Sequence, residues 1–244
     1  MMKKRSIILL FLLIIVLHVF LYVRYKAPGR THPDERLITD FTQHYYSLGV
    51  HYRTTWLGIP TLENPCDMWA IQEIICETRP DFIIETGTYK GGGALFFASV
   101  LQNIGETGKV VTIDIKPRIE DAAQIKLFKD RVEFIEGGST SEQVICRIKE
   151  RVGGQKVMVT LDSDHHFDHV LDELRLYSKL VSPGCYLIVQ DTAHNGRLLP
   201  KTFGKGPEAA VEVFLKENRN FQRDKGREKF MLTFHPGGYL KRIK

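Results

Sequence analysis

Apolar runs and amphipathic stretches alternate through most of the chain. Short apolar runs, which are typical of buried strands, occupy Phe82–Glu85, Val110–Asp114, Val132–Ile135, Val157–Leu161 and Tyr186–Gln190. The spacing of apolar positions between them predicts helices over Gly93–Leu101, Glu120–Phe128, Ser141–Arg151 and Asp168–Leu180. Because apolar strands that alternate with helices are typical of a sheet covered on both faces, the pattern predicts an α/β fold with a mostly parallel sheet.

Segments before and after this alternating pattern add further elements. Helical spacing predicts two more helices, over Asp67–Thr78 and Glu208–Glu217. Phe221–Asp224 and Lys229–Phe234 are predicted to form a final antiparallel pair of strands. The aromatic-rich segment 41–56 is predicted to form either a lid over a site or an ordinary amphipathic helix packed on the domain.

An apolar stretch near the N-terminus departs from this pattern. Residues 6–23 are nearly all Ile, Leu, Val and Phe. As a helix they would span about 27 Å, at ~1.5 Å per residue, which is close to the thickness of thin bilayers. No small-residue cleavage site follows, so we expect an uncleaved, single-pass membrane anchor rather than a signal peptide. Three basic residues precede the stretch and three follow it closely, which leaves its orientation open.

The predicted organisation has five parts. They are a short basic N-terminus (1–5), a transmembrane anchor (6–23), a linker (24–40), an N-terminal helical or lid segment (41–80) and a cofactor-binding domain (81–244).

Charge and cysteine content exclude some partners. The net charge of +5 is mild, and no basic run carries interleaved aromatic residues, which argues against a nucleic-acid partner. The four cysteines form no C-x-x-C pair, so a zinc site is not expected. Cys76, Cys146 and Cys185 lie in apolar stretches and are predicted to be reduced core residues.

A glycine-rich turn follows the first strand of the pattern. The strand ends near Glu85, and the chain then passes through Gly87 and Gly91-Gly92-Gly93 into a helix. Such a turn directs free backbone N–H groups and the positive end of a helix at one point, which suits a nucleotide-like cofactor. The spacing G-x-x-x-G-G-G lacks the second glycine of a dinucleotide motif. A cofactor with ribose and adenine but no phosphate, S-adenosylmethionine, therefore fits better.

Polar residues at the strand ends supply the predicted cofactor contacts. Asp114 ends the second strand, where a carboxylate can accept both ribose hydroxyls, and Ser139 follows the third strand after two glycines. The alternative for Asp114 is a solvated strand-end carboxylate. The predicted cofactor-binding residues are Glu85, Gly87, Thr88, Gly91, Gly92, Asp114, Ser139 and Asp162.

Hard ligands follow the fourth and fifth strands. If these strands are neighbours, four side chains converge on one cation: Asp162, Asp164, Gln190 and Asp191. Oxygen ligands favour Mg²⁺ over zinc. Such an ion could hold substrate oxygens and lower the pKa of a hydroxyl, which would then attack a methyl group held in line by the cofactor.

Two residues are candidates for the catalytic base. His165 or Lys90 could take the proton of the attacking hydroxyl. The structural alternatives are that Asp164 or Asp168 caps the following helix, that His169 packs on that helix's apolar side, and that Lys90 is a solvated turn residue.

Several of these segments together resemble one protein family. They are Thr55-Trp56-Leu57-Gly58, Pro65-Cys66-Asp67-Met68-Trp69, Glu85-Thr86-Gly87-Thr88 with Gly91-Gly92, Leu161-Asp162-Ser163-Asp164-His165, His169-Val170, Gln190-Asp191-Thr192 and the stretch from Phe230 to Leu240. From about Phe41 to the C-terminus the chain is similar to the cephalosporin hydroxylase family, which includes rhamnosyl O-methyltransferases. The resemblance implies a Rossmann-like, S-adenosylmethionine-dependent methyltransferase fold, often with Mg²⁺. Family members often carry Glu-Asp-Thr where this chain has Gln190-Asp191-Thr192, so a neutral amide replaces a carboxylate.

These observations predict a membrane-anchored O-methyltransferase that acts on a hydroxyl of a small molecule or glycan. A nucleotide-dependent oxidoreductase and a catalytically inactive, membrane-tethered scaffold are the alternatives. A homo-oligomer is left open.

Overall fold

The computed structural model describes residues 34–193 and 204–244. Contacts divide the chain after Glu35, and residues 36–244 form the unit discussed below. The helices of the described part are α1 (Glu35–Ser47), α2 (Pro65–Thr78), α3 (Gly92–Asn103), α4 (Lys126–Arg131), α5 (Glu142–Val152), α6 (Phe167–Tyr177) and α7 (Pro207–Glu217). Its strands are β1 (Thr55–Trp56), β2 (Ile59–Pro60), β3 (Phe82–Thr86), β4 (Lys109–Asp114), β5 (Val132–Glu136), β6 (Val157–Leu161), β7 (Tyr186–Val189), β8 (Phe221–Arg223) and β9 (Tyr239–Arg242).

A seven-stranded sheet forms the centre of the unit, in the order β5-β4-β3-β6-β7-β9-β8. The strands from β3 to β7 are parallel to their neighbours, whereas β9 runs antiparallel to β7 and β8. A separate antiparallel hairpin joins β1 to β2. The predicted α/β, Rossmann-like sheet with a C-terminal antiparallel pair is confirmed.

Two apolar clusters cover the sheet, one on each face. The strands place successive side chains on opposite faces, so Ile84 and its in-register neighbours pack with α5, α6 and α7. Ile83 packs on the other side with α2 and α3. All five residues of β3 are buried, which explains why the strands read as continuous apolar runs.

Local sequence explains where the main helices begin. The side chain of Asn64 accepts the N–H of Cys66 at 3.0 Å, and Pro65 occupies the first position of α2, where no backbone donor is needed. Gly91 begins α3 in a left-handed conformation, and Ser141 caps α5 by accepting the N–H of Val144. These starts fix the loops that join each strand to the next helix.

Two predicted elements differ from the structure. The strand partner of β8 is Tyr239–Arg242, not Lys229–Phe234. Phe230 and Met231 are substantially exposed, whereas Tyr239 and Leu240 are buried, so burial selects the later segment. In place of the predicted helix 120–128, a short 3-10 turn at 122–124 precedes α4.

The prediction of a membrane anchor is corrected. Within residues 34–193 and 204–244 no helix is long and apolar enough to cross a bilayer. The longest helix of that part, α2, has 14 residues and spans about 21 Å, short of a ~30 Å hydrocarbon core. The basic N-terminus 1–5, the apolar stretch 6–23 and linker residues 24–33 lie outside the described residues. The predictions of a transmembrane helix, a membrane partner and a single-pass location find no support in the described residues and are not carried further.

Smaller differences concern the linker and the cysteines. Helix α1 begins at Glu35, inside the predicted linker. Cys185 is buried, but Cys76 is only partly buried and Cys146 is exposed on α5, so the prediction of three core cysteines is wrong for Cys146. All four cysteines are free thiols, including the three that were predicted to be reduced.

Candidate active site

A cavity of about 460 Å³ opens at the carboxyl ends of strands β3 to β7. The central strand β3 has β4 on one side and β6 on the other, so the cavity lies where the strand order reverses, the usual ligand position in open α/β sheets. Most of the predicted site residues line this cavity. They are Glu85, Gly87, Thr88, Gly92, Asp114, Ser139, Asp162, Asp164, His165, Gln190 and Asp191.

Glycine is required at the turn after β3 because the backbones approach closely. Gly87 has a φ of +87°, and a Cβ there would lie 1.9 Å from the backbone oxygen of Asp162. A Cβ at Gly93 would lie 2.4 Å from Oε1 of Glu85. A side chain at Gly87 would therefore displace the end of β6, and a side chain at Gly93 would fill the space beside Glu85.

Two predicted site residues do not line the cavity. Gly91 has a φ of +86°, and a Cβ there would lie 2.9 Å from Cε2 of Phe128, so this glycine serves packing. Lys90 is exposed, and its Nζ lies 5.9 Å from the centre of the Tyr89 ring. Of the two proposed bases, the cavity therefore brings His165 to the acidic residues and leaves Lys90 outside.

A chain of hydroxyl groups holds Glu85. Thr112 donates to Oε2 of Glu85 at 2.5 Å, and the hydroxyls of Thr88 and Thr112 are 2.6 Å apart. Burial raises the pKa of Glu85 to about 8, and the charges of Glu63 and Asp114 add to the rise against the effect of the Thr112 bond. In the ligand-free protein this carboxyl is therefore protonated at neutral pH.

Asp114 occupies the end of β4 as predicted. Its Oδ2 accepts the backbone N–H of Tyr89 at 2.9 Å, and its Oδ1 accepts that of Lys116 at 3.3 Å. These bonds tie the loop after β3 to the end of β4 and fix the carboxylate at the cavity wall. Asp114 is thus held in place rather than freely solvated.

Ser139 belongs to a polar cluster at the cavity edge. Nε2 of His169 lies 3.1 Å from the hydroxyls of both Ser139 and Ser163, and 3.4 Å from Oε1 of Glu173. Ser163 also donates to Oε1 of Glu173 at 2.8 Å. The hydrogen bond with Glu173 raises the pKa of His169 against the effect of burial. His169 therefore bridges the loops after β5 and β6 instead of packing on an apolar face.

Three side chains with metal-binding atoms meet on the other side of the cavity. One ligand atom each from Asp162, His165 and Asp191 lies within 4.8 Å of the others. Nε2 of His165 is 3.3 Å from Oδ2 of Asp191. Burial raises the pKa of Asp162 well above its usual range, and the charges of Asp191, Glu63 and Glu85 raise it further. A cation at this point would relieve that unfavourable charge.

The remaining two predicted metal ligands each make hydrogen bonds within the protein. Oδ1 of Asp164 accepts the backbone N–H of His166 at 2.9 Å and lies 2.5 Å from Nδ1 of the same residue. This bond closes the turn before α6, but Asp164 is not the predicted helix cap, because His166 occupies the N-cap position and no side-chain cap bond is formed there. The amide of Gln190 is buried and donates to the hydroxyl of Thr160 at 2.9 Å. Both residues line the cavity. Asp164 does not belong to the group of converging acid and histidine side chains, and the bond to Thr160 uses the nitrogen of Gln190, not its carbonyl oxygen.

The site also depends on buried residues that sequence reasoning did not assign. Nδ1 of His235 accepts the backbone N–H of Asp191 at 3.0 Å. Nε2 of His235 lies 3.8 Å from Glu63 and 3.9 Å from Asp67. Asp67 in turn accepts the hydroxyl of Tyr239 at 2.8 Å. The signals for these residues were the segments Pro65–Trp69 and Phe230–Leu240, which carried the family resemblance without a role.

The hydrogen bond from the Asp191 N–H to Nδ1 indicates which ring nitrogen of His235 carries the hydrogen. Burial lowers the pKa of His235, whereas the carboxylates of Asp67, Glu63 and Asp191 raise it by more. Because Nδ1 accepts the Asp191 N–H, the ring hydrogen is assigned to Nε2, which faces the two acids. Burial also raises the pKa of Glu63, to about 7.

The wall of the cavity is acidic as far as the described residues form it. In that part of the chain one arginine, Arg118, lines the cavity, together with six carboxylic side chains: Glu63, Glu85, Asp114, Asp162, Asp164 and Asp191. Such a surface favours cationic ligands over anionic ones because each carboxylate gains an opposite charge in a poorly solvated site. The arrangement suits a positively charged cofactor next to a divalent cation.

Comparison with known proteins agrees with this geometry. The family model for rhamnosyl O-methyltransferase/CmcI matches residues 48–243. The rhamnosyl O-methyltransferase of Mycobacterium leprae (strain TN) is 38% identical over 213 residues, which cover 85% of this chain and 91% of that protein. The protein of the same name from Mycobacterium bovis (strain BCG / Pasteur 1173P2) is 37% identical, with coverage of 85% and 86%.

Solved structures share the fold at lower identity. The structure of cmcI-D160 with Mg and S-adenosylmethionine superposes with a TM-score of 0.60 at 19% identity, covering 79% of this chain and 78% of that one. The cmcI-N160 structure with SAH gives a TM-score of 0.56 at 18% identity, covering 78% and 83%.

Fold and site together define an α/β methyltransferase. The chain belongs to the rhamnosyl O-methyltransferase/CmcI family. The predicted family and the predicted activity, that of an S-adenosylmethionine-dependent O-methyltransferase, are confirmed.

Proposed function

We propose that this enzyme transfers the methyl group of S-adenosylmethionine to a hydroxyl of a deoxysugar such as rhamnose, with the help of a divalent cation. The observation that carries the proposal is the meeting of Asp162, His165 and Asp191 in the same cavity as Glu85 and Asp114. One group of side chains suits a cation and the other suits the cofactor. The sugar is taken from what the similar mycobacterial proteins are named for.

The cavity wall fits S-adenosylmethionine. The Cβ that any other residue would add at Gly93 would lie 2.4 Å from Oε1 of Glu85, so glycine leaves this carboxyl accessible. Glu85 can then accept the cofactor's ammonium group, and Asp114 at the end of β4 can accept ribose hydroxyls. Gly138 and Ser139 line the cavity beyond β5 and leave room for the adenine ring of the cofactor.

The donor set also fits a divalent cation. Two carboxylates and an imidazole lie within 4.8 Å of one another, and an ion with ligands at about 2.1 Å would draw them together by small rotations. Bound there, the cation would supply a Lewis acid for the acceptor hydroxyl. The Asp191 backbone has a φ of +54°, a strained value that the bond to His235 maintains.

Aromatic residues beside Asp191 suit the acceptor. Tyr46 stacks on His51 with ring centres 4.6 Å apart, and Phe234 meets His51 edge-on at 5.4 Å. Phe234 directly precedes His235, which accepts the backbone N–H of Asp191, so the cluster lies near the ligand group. We propose that the segment from Tyr45 to Trp56 covers a bound sugar, with aromatic rings against its apolar face and Asp191 towards its hydroxyls.

Methyl transfer to defined acceptors tests this function. The full chain is incubated with S-adenosylmethionine labelled in the methyl group and with α-L-rhamnosides, α-D-glucosides or catechol. We expect a methyl ether to form on the rhamnoside, at a rate at least about tenfold higher than on the glucoside. The matched variants Asp191→Asn and Asp168→Asn change a cavity residue and an exposed residue of α6, and only the first should lose activity. Transfer to catechol but to neither sugar would remove the sugar from the proposal.

A further inference from the structure

The side chain of Gln190 is held by the neighbouring strand. Gln190 directly follows β7, and Ile188, two residues earlier, pairs with Thr160 of β6. Because side chains alternate along a strand, Gln190 lies on the same face of the sheet as Thr160. Its Nε2 donates to Oγ1 of Thr160 at 2.9 Å, and both residues are buried. One of the two polar atoms of the amide is therefore fixed.

The bond to Thr160 decides which amide atom remains for the cavity. Gln190 lines the cavity, whereas Thr160 does not belong to the described residues that line it. An amide carries its oxygen and its nitrogen on the same carbon, so a nitrogen that points to Thr160 leaves the carbonyl oxygen on the other side. The carbonyl oxygen of Gln190 is therefore the atom available to a ligand in the cavity.

This orientation is unfavourable next to carboxylates alone. The backbone N–H of Gln190 donates to the carbonyl of Leu161 at 2.9 Å, which brings the next residues of the two chains, Asp191 and Asp162, together. Two carboxylates attract the N–H groups of an amide and repel its oxygen. A divalent cation reverses that preference, because a carbonyl oxygen is a hard ligand that suits Mg²⁺ and Mn²⁺. The amide thus has the orientation that a cation favours.

We propose that Thr160 is a positioning residue, which holds the amide nitrogen of Gln190 so that the carbonyl oxygen joins Asp162 and Asp191 as a ligand of the cation. The proposal rests on the cation site of the proposed function and holds for any acceptor. Without the hydroxyl of Thr160, the amide nitrogen would turn towards the two acids, and its hydrogens would compete with the cation.

Cation affinity in a double-mutant cycle tests the proposal. Calorimetry on the full chain measures the binding of Mg²⁺, and of Mn²⁺ as a paramagnetic stand-in, to the wild type, Thr160→Val, Gln190→Leu and the double variant. Thr160→Val should weaken cation binding about tenfold to a hundredfold, as expected for a residue that orients a ligand. In the Gln190→Leu background the same change should cost less than about twofold, because the amide on which Thr160 acts is absent.

Two threonine variants separate positioning from folding. Thr160→Ser keeps the hydroxyl, so its cation affinity should stay within about threefold of the wild type. Thr78→Val removes another buried threonine hydroxyl, which donates to the carbonyl of Ile74 at 2.7 Å. It should lower the free energy of unfolding without changing cation affinity.

Equal cation affinity in Thr160→Val and the wild type would overturn the proposal. An equal loss in the presence and in the absence of the Gln190 amide would also overturn it. Both results leave the proposed methyl transfer standing, because the wild type still binds the cation. A wild type that binds neither ion would remove the cation from the proposed function as well.

Discussion

Nδ1 of His235 accepts the backbone N–H of Asp191 at 3.0 Å, and this bond joins the C-terminal segment to the cation site. His235 is fully buried, and Asp191 has a left-handed backbone conformation, with a φ of +54°. A residue other than glycine keeps such a conformation only where its surroundings hold it. The C-terminal segment thus sets the direction of a carboxylate that lies far away in sequence.

Replacing His235 should therefore weaken cation binding without abolishing cofactor binding. In His235→Ala the N–H of Asp191 loses its acceptor, and we expect Mn²⁺ affinity to fall about tenfold to a hundredfold. Affinity for S-adenosylmethionine, whose proposed contacts lie at Glu85 and Asp114, should change by less than about threefold. Calorimetry with each ligand measures both effects.

Two further variants control for simple loss of folding. His235→Asn keeps an oxygen that can accept the Asp191 N–H, so it should restore part of the affinity. His44→Ala removes an exposed histidine of α1 and should change neither ligand's binding. Equal Mn²⁺ affinity in His235→Ala and the wild type would show that His235 does not position Asp191.

Asp114 should carry a large part of the cofactor affinity. Its carboxylate is fixed at the cavity wall by the N–H groups of Tyr89 and Lys116, where it can meet the ribose hydroxyls. Loss of charge-assisted hydrogen bonds costs about 1.5–3 kcal/mol, which corresponds to roughly tenfold to a hundredfold in affinity. Calorimetry should show this weakening for Asp114→Ala and no change for Asp121→Ala, an exposed acid in the same loop. Unchanged binding by Asp114→Ala would exclude this residue from the site.

Cofactor binding should release a proton from Glu85. Because the pKa of Glu85 is about 8, the carboxyl is protonated at pH 7 in the free protein. An ammonium group beside it favours the ionised form and lowers that pKa. Affinity for S-adenosylmethionine should therefore rise with pH up to about 8 and then level off. Calorimetry at pH 7 in phosphate and in Tris buffer should report a released proton in the wild type and none in Glu85→Gln.

The raised pKa of Glu85 also predicts how the stability difference between Glu85→Gln and the wild type changes with pH. A folded-state pKa above the ordinary value of 4.5 means that this group favours folding at low pH and that the contribution is lost as the pH rises from 4.5 to about 8. Glu85→Gln should therefore gain stability relative to the wild type between pH 5 and pH 8, by about 1–4 kcal/mol. A constant difference across this range would mean that Glu85 is already ionised in the free protein.

Gly87 should tolerate no side chain. A Cβ there would lie 1.9 Å from the Asp162 backbone oxygen and the residue has a φ of +87°, so Gly87→Ala should cost about 3 kcal/mol or more. Gly154→Ala is the matched control, because its φ is +77° and no atom lies within 4 Å of the added Cβ. It should cost about 1 kcal/mol. Chemical denaturation measures both, and equal costs would mean that β3 and β6 can separate without penalty.

Local pattern was sufficient for the sheet and for most of the cavity wall. Apolar runs such as Val157–Leu161 are buried on both faces, so their composition alone identifies them. Acids at strand ends such as Asp114 and Asp162 were found because parallel strands bring their carboxyl ends to one edge. The partner of β8 was missed because burial, not local propensity, selects Tyr239 and Leu240 over the exposed Phe230.

The supporting residues required the tertiary structure. Asp67 and His235 come together through contacts across more than half the chain, and no local spacing encodes them. The bonds of Asp164 to His166 and of Gln190 to Thr160 likewise could not be predicted from the sequence, because they depend on how the loops after β6 and β7 fold. The hydrogen-bond partners of these side chains are therefore known only from the tertiary structure.

A crystal structure of the full chain grown with S-adenosylhomocysteine and Mn²⁺ tests the central claim most directly. The account predicts ribose hydroxyls on Asp114, the ammonium group on Glu85, and the ion between Asp162, His165 and Asp191. Cofactor bound away from the ends of β3 and β4, or carboxylates of Asp162 and Asp191 that point apart around an ion held elsewhere, would contradict it.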